Sequence, residues 1–91
     1  MSKTVFKYAI PVDDQWHEVP TPLPARIVHV ACTGGFGTVF VWAEVDPEGP
    51  ETSSRKMRVF GTGHPIPDDA TYVGTAPTGP FVWHVYAEPT K

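Results

Sequence analysis

Eleven prolines run through a chain of 91 residues, and this punctuation limits what it can fold into more than any other feature. Proline has no N–H to give to a sheet ladder or a helix interior, so it belongs at strand ends, sheet edges and turns. Pro11, Pro20, Pro22, Pro24, Pro47, Pro50, Pro65, Pro67, Pro77, Pro80 and Pro89 fall between apolar runs and leave only short pieces. Those pieces are rich in valine, and Leu23 is the sole leucine. β-Branched and aromatic side chains suit a pleated sheet, whereas leucine and alanine suit helices. No window carries a helical period of useful length.

The spacing predicts about seven short strands: Thr4 to Ile10, Gln15 to Val19, Arg26 to Thr33, Thr38 to Val45, Arg55 to Thr62, Ala70 to Thr75 and Phe81 to Glu88. Pro20 to Pro24 reads as a stiff extended connector. Gly34 to Gly37 reads as a hairpin loop, and Asp46 to Ser54 as a polar loop. The expectation is one all-β domain over residues 1–91, a small sandwich or partly open barrel. A chain this size buries only roughly 60–65% of its unfolded surface, so pairing with a second copy is a natural way to bury more.

Charge and cysteine usage narrow the class. The formal net charge is −3 with seven scattered Lys and Arg, which argues against a duplex nucleic-acid binder and an anionic membrane surface. Cys32 is alone, so neither an internal disulfide nor a cysteine zinc cluster is expected. Lacking disulfide staples, and opening without an apolar signal core, the chain is expected in the cytoplasm.

Alternation separates two sets of side chains. Val39, Val41, Ala43, Val45, Met57, Val59, Phe81, Trp83 and Val85 form an apolar set, the expected core. The opposite set interleaves aromatics with charges of both signs: Phe40, Trp42 and Glu44, then Lys56, Arg58 and Phe60, then His84, Tyr86 and Glu88. Such a surface is either covered within the domain or an interface, since aromatics and arginine are enriched at binding hot spots. Phe40, Trp42, Arg58, Phe60, His84 and Tyr86 are therefore the candidate partner-binding face.

Little else carries chemistry. Gly61, Thr62, Gly63 and His64 follow a strand, and a glycine loop can bring backbone N–H groups onto an anion, making this the possible ligand loop. As neither a Walker loop nor a GxGxxG, it reads better as a plain turn. His17, His29, His64 and His84 form no metal-ligating pair, and no metal or cofactor is expected. Cys32 and His29 lie three apart on one strand and point to opposite faces, so they are not a nucleophile–base pair. The aspartate pairs Asp13-Asp14 and Asp68-Asp69 sit in turns, where solvated, capping carboxylates are the rule. An enzyme is not expected; if one existed, His64, His84 and Asp68 or Asp69 would be its candidates.

Four stretches carry a resemblance: VFKYAIPVDDQWHEVPTPLPARIVHV (Val5 to Val30), WAEVDP (Trp42 to Pro47), RVFGTGHPIPDDATYVGT (Arg58 to Thr75) and GPFVWHVYAE (Gly79 to Glu88). Nearly the whole chain resembles a family of short bacteriophage and prophage proteins, with GTGHPI its most specific part. The resemblance implies a phage origin and a compact β-fold, and no reaction, cofactor or functional residue. Together with the mixed aromatic–charged face, a phage origin gives the leading expectation of a non-enzymatic phage accessory protein, acting in the host cytoplasm, that binds and modulates, by inhibition, a host or defence protein. Two alternatives stay open. One is an oligomeric nucleotide-sequestering protein, with Arg58 and the Gly61–His64 backbone on phosphates. The other is a minor structural or assembly protein.

Overall fold

A computed structural model describes residues 2–22, 25–33, 37–49 and 52–89. Among them there is no helix. Nine strands run in chain order: β1 (Thr4–Pro11), β2 (His17–Glu18), β3 (Thr21–Pro22), β4 (Ala25–Ala31), β5 (Thr38–Val45), β6 (Thr52–Ser53), β7 (Lys56–Gly61), β8 (Thr71–Thr78) and β9 (Phe81–Ala87). One antiparallel sheet has the order β1-β5-β4, and a second has the order β2-β7-β9-β8. All seven expected strands lie in these two sheets. The short β3–β6 pair is additional. It joins the connector Pro20 to Pro24 to a loop that the sequence reads as wholly irregular. The hairpin expected at Gly34 to Gly37 lies mostly outside the described residues.

The two sheets face each other as a sandwich. The Cα atoms span only 16 Å in the thin direction, which fits two sheets about 10 Å apart and leaves no third layer. The core is the apolar row of β5 (Val39, Val41, Ala43 and Val45) set against Met57, Val59, Val85 and Ala87 of the second sheet. Ile10, Val19 and Ala76 complete it. Tyr8 packs against this core from β1, and burial pushes its phenol above the usual value.

Proline placement differs from expectation in detail. Pro11 and Pro22 are the last residues of β1 and β3, and Pro77 lies within β8, one residue before its end. Pro11 and Pro77 are on β1 and β8, which are edges of their sheets, where a ring nitrogen facing away from the ladder loses no bond. The β8–β9 hairpin closes on Thr78↔Phe81 through Gly79-Pro80. Gly79 has φ of 56°, the positive first central residue of a type II′ turn, which twists with the strands it joins.

β4 and β8 close one side of the sandwich. Register shifts mark bulges between Ile27 and His29 of β4 and between Tyr72 and Gly74 of β8, and the two strands meet there. Gly74 makes the approach possible. A methyl on it would overlap Val30 Cγ2 and come within 2.9 Å of Val30 Cβ. Gly74→Ala should therefore cost about 1–3 kcal/mol, the range for overpacking a filled site. Adding Val30→Ala should recover much of the loss. Urea unfolding of the two single variants and the double variant measures the coupling.

Candidate functional site

The register of the sandwich divides the candidate face in two. Phe40 and Trp42 alternate with the buried valines of β5, so they point out of the three-stranded sheet. Arg58 and Phe60 alternate with Met57 and Val59, and His84 and Tyr86 with Val85 and Ala87, so they point out of the four-stranded sheet. The core lies between the two groups. Six residues expected on one surface thus occupy opposite outer faces, because β5 belongs to a different sheet from β7 and β9.

The outer face of the four-stranded sheet is largely satisfied from within. Phe60 is 1% exposed, against the expectation of an open contact residue. Trp16 meets it edge-on at 6.0 Å, Tyr86 meets it at 5.8 Å, and Tyr72 continues the series against Tyr86 at 5.5 Å. The Arg58 guanidinium stacks 4.6 Å from the Phe60 ring centre and reaches Asp14 at 3.9 Å. Trp16, missed as a site residue, stands one position before β2 with the parity of this outer face. Its only sequence signal is that alternation.

His84 is held at both ring nitrogens on the same face. Its Nε2 lies 2.9 Å from Thr62 Oγ1, which donates to the Val82 carbonyl at 3.3 Å. Its Nδ1 lies 3.2 Å from Thr75 Oγ1, itself 2.6 Å from the Tyr72 hydroxyl. With the Thr62 hydroxyl donating to a carbonyl, the consistent arrangement has Nε2–H donating to Thr62 and Thr75 donating to Nδ1. These two contacts fix the orientation of the ring.

The outer face of the three-stranded sheet holds Phe40, Trp42 and Glu44 half-buried. Cross-strand pairing sets Lys7, Trp42 and His29 in one row, Ala9, Phe40 and Ala31 in the next, and Val5, Glu44 and Arg26 on the other side. Lys7 Nζ lies 4.1 Å from the Phe40 ring centre and 5.5 Å from that of Trp42, within cation–π range. His29 tilts against Trp42 at 5.3 Å. Lys3 and Arg26 both reach Glu44 at 3.6 Å, bordering a cleft of about 280 Å³. Lys3, Lys7 and Arg26 thus stand on this face beside Glu44, and Asp46 lines the same cleft.

The ligand loop is a turn bordering a cleft. The His64 N–H donates to the Gly61 carbonyl at 3.1 Å, and Gly63 has φ of 90°, which a glycine adopts without strain. The His64 ring folds back over Gly61. Gly61, Thr62 and His64 line a cleft of about 460 Å³ with Pro80, Phe81, Val82 and Trp83. Phe81 and Trp83 stack at 5.4 Å with planes 10° apart. Trp83 has the inward parity expected of it and packs against the core; Phe81 shares that parity but is 46% exposed, since it sits past the end of the core at the hairpin. Arg58 leaves β7 on the face opposite to Gly61, so the two do not converge on one phosphate.

The turn aspartates are structural where they bond. Asp13 accepts from His17 Nε2 at 2.8 Å and from the Gln15 N–H at 3.1 Å. The His17 hydrogen bond first, and the Gln15 N–H with it, hold its carboxyl below the usual value. Among the described residues no cluster of His, Cys, Asp and Glu is arranged to hold a metal ion, and no helix is long and apolar enough to cross a membrane.

Fold and surface define a small two-sheet antiparallel sandwich with one self-covered and one open outer face. The chain belongs to a family described as a domain of unknown function, DUF7352, whose model matches residues 1–91. No curated protein and no solved structure matches it.

Burial of Phe60 gives a direct expectation. Phe60→Ala should destabilise the fold by about 3–5 kcal/mol, the usual cost of emptying a buried phenylalanine site. Trp16→Ala should cost less and expose the Phe60 ring. Thermal unfolding of both variants, compared with Tyr72→Ala at the exposed end of the aromatic series, tests the ranking.

Proposed function

We propose that this protein is a non-enzymatic binding module of phage origin that engages and inhibits a host or defence protein through the open face of its three-stranded sheet. One observation carries the reading. Phe40 and Trp42 stand outward on a sheet with no third layer over it, flanked by Lys7, His29 and Arg26. Aromatic rings beside long cations are the residue types that dominate binding energy at interfaces. The opposite face is less suited, because Phe60 is already buried and Arg58 and His84 are already engaged. The phage origin rests on the sequence resemblance alone.

The tagged protein should retain a host protein in stoichiometric amount from lysate. Trp42→Ala should weaken that complex by about 2 kcal/mol or more, roughly thirtyfold, while the unfolding temperature changes little. Normal binding by the folded Trp42→Ala variant would remove this face from consideration.

The cleft beside Gly61, Thr62 and His64 favours a second reading, a nucleotide-sequestering protein. Its walls set the Phe81–Trp83 stack, a platform for a base, next to a glycine turn. A thermal-shift series with cyclic and ADP-ribose-type nucleotides should then stabilise the protein, and His64→Ala should abolish the shift. No shift with any of them would end this reading.

A further inference from the structure

We infer that the free edge of β1 takes up an extended acidic segment of a partner protein, which adds a strand to the three-stranded sheet. This rests on the binding-module reading above and says how the partner is held. The two edges of the sheet differ. β4 runs against β8, and that side is closed by the Val30–Gly74 contact. β1 is eight residues long, pairs only with β5 among the described strands, and is exposed at most positions. An edge of this length offers a row of unpaired N–H and C=O groups, the template for strand addition.

Side chains on β1 give the chemistry of the occupant. Phe6 pairs with Ala43 and so faces inward, yet it remains 37% exposed. The strand at the edge of the opposing sheet, β2, is only two residues long and leaves that corner uncovered. Val5, facing outward, is 50% exposed. An added strand with apolar residues on its inner side would cover Phe6. On its outer side it would run beside Lys7, with Lys3 just before the strand, so alternate residues there are best carboxylates.

The same charges argue against a second copy. β1 carries Lys7 and no acidic residue, with Lys3 adjoining it. Pairing β1 with β1 of another molecule would gather four cations along one seam. Lysine on an exposed edge is a common device against self-pairing. Charge therefore selects a different, acidic strand.

The probe is an end-capped peptide of eight residues, the length of β1, alternating glutamate and valine. Its control has lysine in place of glutamate. Backbone amide NMR of the full chain should show shifts over residues 4–10 and at the Trp42 indole with the glutamate peptide, together with slowed solvent exchange along β1. The lysine peptide should leave the spectrum unchanged. The folded Lys7→Glu variant should bind the glutamate peptide about tenfold more weakly and the lysine peptide more tightly, the reversal expected of a charge-selected strand. Equal binding of both peptides, or no change along β1 at millimolar peptide, would overturn the proposal. So would sedimentation showing a dimer whose β1 amides are already protected, because a second copy would then hold the edge. If the edge fails these tests while Trp42→Ala still abolishes partner capture, the binding-module reading stands and only the strand-addition inference falls.

Discussion

Strand β5 is the constraint on which the rest of the structure depends. It pairs on both sides, with β1 and with β4, and its residues alternate strictly between buried and half-buried. Val39, Val41, Ala43 and Val45 are the three-stranded sheet's central contribution to the sandwich core. Because the side-chain period of a strand is two, burying that row commits Phe40, Trp42 and Glu44 to the opposite surface. A slip of one residue would put a tryptophan and a glutamate into a core of valines. The open aromatic–cationic face is therefore a consequence of the same register that builds the core.

The two outer faces solve the same problem in different ways. Each sheet of a two-layer sandwich has an outer side that the core cannot use. On the four-stranded sheet the chain covers its own Phe60: Trp16 meets the ring edge-on, the Arg58 guanidinium stands over it, and hydroxyl groups occupy both nitrogens of His84. On the three-stranded sheet only single side chains shield the rings, with Lys7 lying across both. A flexible, solvated lysine is easily displaced by a partner, whereas a buried phenylalanine is not. This difference in covering, more than any difference in composition, separates the self-covered face from the proposed binding face.

Closure of the sandwich is likewise uneven. Gly74 lets β8 press against Val30, so the β4 side is sealed by backbone approach. At the other side the two-residue β2 leaves β1 and Phe6 without full cover. A domain this small has little apolar surface with which to close both sides.

By itself the sequence determined the fold class and nearly every strand. Proline placement, the shortage of leucine and strict alternation are local signals, and local backbone preference is what they report. The valine row of β5 is legible in the same way, whereas the connection before β9 reads from the sequence as five residues, Ala76 to Pro80, of which β8 takes the first three. Which strands share a sheet was decided only in three dimensions. Parity gives Phe40, Trp42, Arg58, Phe60, His84 and Tyr86 the same outward sense, but parity says nothing of which sheet a strand joins, and β5 joins a different one from β7 and β9. The cover of Trp16 over Phe60, the approach of Gly74 to Val30 and the free edge of β1 all join residues distant in sequence. Such contacts are set by the packing of whole sheets, and no pattern confined to one strand can encode them.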